Sequence, residues 1–110
     1  MAVYGVVIID ISDPSWIPAY VEAVQDLLKK HGGSHYQARG LSSEWAQKFG
    51  ITDIGQYEVL EGDNRPDAVV VLEFASTEAA HGFFDDPAYK PWMDKRLAGS
   101  KADIYLVPAF

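Results

Sequence analysis

His35, Arg39 and Glu73 are the side chains of this chain whose chemistry suits proton transfer beside a stabilised negative charge. An imidazole accepts a proton, and so does a carboxylate whose apolar surroundings have raised its pKa toward neutrality. A guanidinium steadies the charge that develops on an enolate or phenolate oxygen. The expected chemistry is proton transfer on a small carbonyl or phenol, with His35 or Glu73 as base and Arg39 on the oxygen. A plainer reading stands beside it. Glu73 and Arg39 form an ion pair that satisfies two buried charges, and His35 is exposed near the Gly32-Gly33 turn.

Aromatic residues supply the candidate substrate contacts: Tyr20, Trp45, Phe49, Tyr57 and Trp92. Tyr20 and Trp92, with Tyr89, read first as core packing, the Tyr20 hydroxyl finding a partner at the sheet edge. Arg96 is expected to pair with a carboxylate such as Glu61 or Asp94. No metal centre is expected. His81 and Asp85 are four apart, but they read as a solvated helix face, and Gly32-Gly33 interrupt the His31/His35 pair. Haem lacks support, and no glycine-rich phosphate loop occurs, so no cofactor is expected.

These residues must be positioned by strands and helices. Val3–Ile11 is apolar on both faces, as a strand covered on both sides would be. Ser12 or Asp13 can cap a helix with Pro14 in its first turn. Ile17, Tyr20, Val21, Val24, Leu27 and Leu28 form one helical stripe, closed by Lys29, Lys30 and then Gly32-Gly33. His35–Arg39 reads as a second strand, with Tyr57–Glu61 as its continuation. Gly62–Asp67 reads as a turn and Ala68–Phe74 as a third strand. A helix capped by Ser76 or Thr77 runs to Phe84, breaks at Asp86-Pro87 and resumes from Ala88 to about Leu97. Asp103–Val107 closes the order as the last strand.

That order, β-α-β twice over, predicts an α+β ferredoxin-like βαββαβ domain over residues 1–110, a four-stranded antiparallel sheet with its helices on one face. Alternation then puts Tyr36 and Ala38 under the helices and His35, Gln37 and Arg39 on the opposite side. Val70, Leu72 and Phe74 take the helix side of the third strand, and Val69, Val71 and Glu73 the other. The histidine, the arginine and Glu73 thus converge on the uncovered face. Two helices cover one sheet face only, and a second copy of the chain covers the other in a face-to-face homodimer, with the cavity between. The alternative is a monomer with a partly exposed sheet.

Between the halves, residues 41–56 read as a helical insertion. Trp45 and Phe49, four apart, share one face of a helix too short to stand alone. They form either a lid over the cavity mouth, with Tyr57, or part of the dimer interface.

Composition narrows the partners. With 110 residues, nine basic and sixteen acidic side chains and a net charge of −7, the chain offers no basic cluster to nucleic acid or to an anionic membrane. The first strand is too short to span a bilayer and lacks the features of a signal peptide, so a cytoplasmic location is expected. The absence of cysteine excludes disulfides, thiol catalysis and thiolate metal sites.

Asp13-Pro14 with Tyr20, His31-Gly32-Gly33 with Ala38-Arg39-Gly40, Val59-Leu60-Glu61-Gly62, Val70–Phe74 and Asp86-Pro87-Ala88-Tyr89 recur in the order that marks a known family. Across nearly its whole length the chain resembles the domain of unknown function 1330 family, of the dimeric α/β-barrel superfamily. The resemblance implies a ferredoxin-like fold and a face-to-face dimer, and no particular reaction. One departure is that Leu41–Gln56 stands where the family passes almost directly between its Ala-Arg-Gly and Leu-Glu-Gly stretches. The wider superfamily holds cofactor-independent monooxygenases, lactone isomerases, polyketide-processing proteins and haem enzymes. Three functions follow: a cofactor-independent enzyme on a small apolar carbonyl or aromatic compound, a non-catalytic small-molecule binder or accessory subunit, or a module whose function is dimerisation.

Overall fold

The computed structural model describes residues 2–40 and 55–109, apart from the Arg39 side chain. The candidates Trp45 and Phe49 therefore lie outside the described residues, as does most of the expected insertion.

Strand β1, Val3–Ile11, is the second of the two central strands, and the sheet order is β2-β3-β1-β4. Its neighbours are β3, Ala68–Phe74, and β4, Ser100–Pro108, both antiparallel to it. Val3, Gly5, Val7 and Ile9 are buried and face the helices. Opposite them on β3 stand Phe74, Leu72, Val70 and Ala68, so one apolar layer runs across both strands.

A single turn of 3-10 helix, Pro14–Trp16, starts the first crossover, with the Asp13 carboxylate accepting the Ser15 N–H at 3.0 Å. Helix α1, Ile17–Lys30, buries Ile17, Val24 and Leu28, its apolar stripe. It ends where Gly32 takes φ +69, a conformation that costs glycine little. Gly33 N–H then closes on Leu28 O at 2.7 Å. Helix α2, Thr77–Phe84, is capped by Ser76, whose hydroxyl accepts the Ala79 N–H at 3.1 Å. Helix α3, Lys90–Gly99, follows the corner at Asp86-Pro87 and packs on α1, the 3-10 turn and β4. This is the ferredoxin-like α+β fold, with the described helices on one sheet face.

Two expectations about the second strand do not hold. Strand β2, Ser34–Arg39, pairs His35 with Leu72 and Gln37 with Val70. Leu72 and Val70 face the helices, so His35 and Gln37 do too. Tyr36 and Ala38, expected under the helices, take the uncovered face, and Tyr36 is 58% exposed. Nor does Tyr57–Glu61 continue the strand. Residues 57–61 lie outside any strand, and Ser34 to Arg39 already pair with β3 from Glu73 back to Ala68, its first residue. The last strand is longer than expected, beginning at Ser100 because β1 extends to Ile11 opposite it.

Among the described residues no helix is long and apolar enough to cross a membrane.

Candidate functional site

The helix face of the sheet and the helices above it form a partly open cavity of about 340 Å³. It lies within one chain, on the side opposite to the one expected from alternation. Val7, Ile9, Val24, Val70, Leu72 and Phe83 make most of its wall apolar. Its polar groups are Tyr20, Tyr89, Arg96, His35, Gln37 and Gln25.

Tyr20 reaches the cavity from the apolar stripe of α1, with Trp16 edge-on to its ring at 5.0 Å and 89°. Its hydroxyl lies 2.8 Å from that of Tyr89. The pair brings two hydroxyl protons and uses one between its members, which leaves one O–H to donate. Burial drives the Tyr20 pKa well above the ordinary tyrosine value, and the neighbouring Tyr89 oxygen adds to this. The Arg96 charge and its hydrogen bonding act in the opposite sense without overcoming them. Tyr20 is therefore a neutral hydrogen-bonding group here.

Tyr89 is placed by the corner that precedes α3. The Asp86 carboxylate accepts from Ala88 N at 2.9 Å, and Tyr89 N–H reaches Asp86 O at 2.9 Å. The same carboxylate receives His31 Nε2 at 2.9 Å and Lys30 Nζ at 3.0 Å from the end of α1. These contacts, led by His31, hold the Asp86 carboxyl well below the usual carboxylate range. Asp86 thus ties α1 to the α2–α3 corner and fixes Tyr89 across from Tyr20.

Arg96 lies near the end of α3 that leads into β4 and is 7% exposed. It does not form the expected pair with Asp94, which instead takes Lys90 at 3.2 Å. Among the described residues no carboxylate is within ion-pair distance of Arg96, and its Nε has no hydrogen-bond partner. The neighbouring Leu97 is 57% exposed. Periodicity alone would bury the leucine and expose the arginine, which is why this group escaped notice as a cavity residue. Tyr89 and Arg96, seven apart, do stand two helical turns from each other, and that spacing was a usable signal.

The remaining candidates separate. His35 lines the cavity from the edge strand, whereas Glu73 stands on the uncovered face, where Tyr36 O–H donates to it at 3.2 Å. His35 and Glu73 therefore lie on opposite faces of the sheet and do not converge. Arg39 occupies the register position opposite Ala68. Tyr57 O–H donates to Pro66 O at 2.9 Å, which anchors the loop before β3. Trp92 packs against the main core cluster with Lys95 Nζ 4.5 Å from its ring centre, and it does not line the cavity. No group of three potential metal ligands occurs among the described residues.

A ferredoxin-like sheet roofed by helices, with an apolar cavity between, defines a class of small α+β proteins. Within it, the sequence profile of the domain of unknown function DUF1330 matches residues 2–110, and the chain belongs to that family. No curated protein matches the chain in sequence. Among solved structures, a protein of unknown function from Rhodopseudomonas palustris is similar at TM-score 0.72 and 15% identity, over 99% of this chain and 82% of that one. SnoaB, a cofactor-independent oxygenase from Streptomyces nogalater, is similar at TM-score 0.66 and 14% identity, over 99% and 93%. A hypothetical protein of Arabidopsis thaliana is similar at 0.64 and 12%, over 98% and 88%. At these identities the likeness is one of fold.

Proposed function

We propose that the chain is a cofactor-independent enzyme that moves a proton on a small, mostly apolar carbonyl or aromatic compound held in this cavity. The observation that carries the reading is the cavity itself: about 340 Å³, apolar for most of its wall, with hydrogen-bonding groups at two edges. Arg96 and the free tyrosine O–H bind the carbonyl or phenol oxygen. His35 takes the proton from the carbon or hydroxyl, and the electron pair moves onto the oxygen that Arg96 faces. SnoaB, named as a cofactor-independent oxygenase, has a similar fold and lends support by analogy only.

Nuclear magnetic resonance in deuterated water tests the reading. A panel of small aryl ketones is incubated with the protein, and loss of the proton signal beside the carbonyl is followed. Exchange that needs His35 supports the enzyme. Ligands that bind without any exchange sink it and leave a non-catalytic binder. That second reading is favoured by one observation: on the described cavity wall His35 has no carboxylate partner to orient it.

We further propose that the protein works as a homodimer in the cytoplasm, with the uncovered sheet faces together. Val6, Ile8, Val69 and Val71 lie half-buried on that face, and Tyr105 and Val107 are exposed there. A patch of this kind is costly to leave in water. Light scattering on the wild type and on Val71→Asp is the check. A wild type that stays monomeric at working concentration overturns the dimer.

A further inference from the structure

The guanidinium of Arg96 brings a full positive charge into an apolar cavity where, among the described residues, no carboxylate balances it. Arginine cannot shed its proton to escape burial. A buried charge without a partner is far costlier than a buried neutral polar group. Three acids close in the chain lie elsewhere: Asp94 is held by Lys90 at 3.2 Å, Asp86 by His31 and Lys30 at 2.9 and 3.0 Å, and Asp103 stands opposite Ile8 on the uncovered sheet face. Tyr20, which Arg96 touches, does not ionise to compensate, since burial and Tyr89 hold its proton in place. The Nε of Arg96 is left without an acceptor although the residue is 7% exposed.

We infer that the ligand supplies the missing charge: the cavity takes an apolar compound that carries one ionised oxygen acid, either a carboxylate or an ionised phenol or enol. Its charged oxygens meet the Arg96 guanidinium and the spare tyrosine O–H. Its apolar body lies on Val7, Val70, Leu72 and Phe83. His35 and Gln37 on β2 border the same cavity. The chain as a whole has a net charge of −7, so an anion is drawn by this one local charge and not by the general field. The inference rests on the reading of this cavity as a ligand site.

Calorimetry on the full chain with 2-naphthoate and 2-naphthamide, which share a ring system and differ in charge, tests it. The carboxylate is expected to bind about tenfold or more tighter than the amide, the preference a charge-assisted hydrogen bond confers. In Arg96→Gln the carboxylate loses the larger share of affinity and the preference over the amide disappears. Val70→Trp, or Val24→Phe should the first not fold, weakens both probes by filling the cavity. Bound 4-nitrophenol separates the two acid types. Yellow phenolate bound at a pH where free 4-nitrophenol is colourless points to an ionised phenol, and a colourless complex to a carboxylate. Equal affinity for carboxylate and amide in the wild type, with both lost in the filled variant, overturns the inference and leaves the cavity standing. Failure of both probes to bind, or binding indifferent to filling, removes the cavity reading and this inference with it.

Discussion

Replacing Arg96 by methionine changes a buried cation into an apolar side chain of similar length. Stability is compared in protein refolded without ligand, so that no anion occupies the cavity. Exchanging a buried ion pair for packed apolar groups is often neutral or stabilising by about 1–4 kcal/mol, because the desolvation penalty vanishes, and an unpaired charge carries that penalty too. Against this stands the lost hydrogen bonding to Tyr20, worth about 1–2 kcal/mol. Tyr20 keeps its bond to Tyr89 at 2.8 Å, so the substitution orphans no buried hydroxyl. The Ser100 hydroxyl donates to the main-chain oxygen of residue 96, and that contact survives as well. The balance is a gain of about 1 kcal/mol. In a domain of this size each kcal/mol moves the melting temperature by roughly 4–8 °C. Urea unfolding and thermal scans on both proteins provide the measurement. A methionine variant less stable than the wild type by about 1 kcal/mol or more means that the guanidinium is already well satisfied. That result would refute the claim of an uncompensated charge.

Three further substitutions probe the scaffold. Gly99→Ala sets a methyl group 2.5 Å from the Trp16 ring and 2.8 Å from the Asp13 carbonyl oxygen, so a loss of about 1–3 kcal/mol is expected in urea unfolding. Tyr89→Phe keeps the ring packing on Phe83 at 5.0 Å but removes the partner of Tyr20, and calorimetric unfolding should record a loss of about 1 kcal/mol. The Asp86 carboxyl titrates lower in the folded chain than in the unfolded one. Its stabilisation is therefore complete above the ordinary aspartate pKa, near about 3.9, and is lost as pH falls below that value. The stability gap between wild type and Asp86→Asn should be widest near neutrality and close in acid. A gap that stays constant down to about pH 3 contradicts the assignment of that carboxylate as the tie between α1 and the corner before α3.

Local signals were enough for most elements. Val3–Ile11 and Ala68–Phe74 end where their runs of β-branched and aromatic residues end, and both strands have these bounds in the structure. Asp13 and Ser76 accept the backbone N–H bonds of the turns they precede, as cap residues do. The stripe of α1 and the break at Asp86-Pro87 were legible for the same reason: helix periodicity and proline chemistry act within a few residues.

What local sequence could not settle was the phase of β2 and the fate of Arg96. His35 and Gln37 alternate with Tyr36 and Ala38, and neither set is apolar enough to declare the buried side. The pairing of His35 with Leu72 decides it, and a slip of one residue would reverse every side chain. In α3 the packing against α1 and β4 turns Arg96 inward and leaves Leu97 in water, against the hydrophobic pattern. Hydrophobicity ranks residues one at a time, whereas the facing of a short strand or helix is set by the partners it docks on. Most of the secondary structure and the fold class were therefore in the sequence, and the membership of the cavity was decided only by tertiary packing.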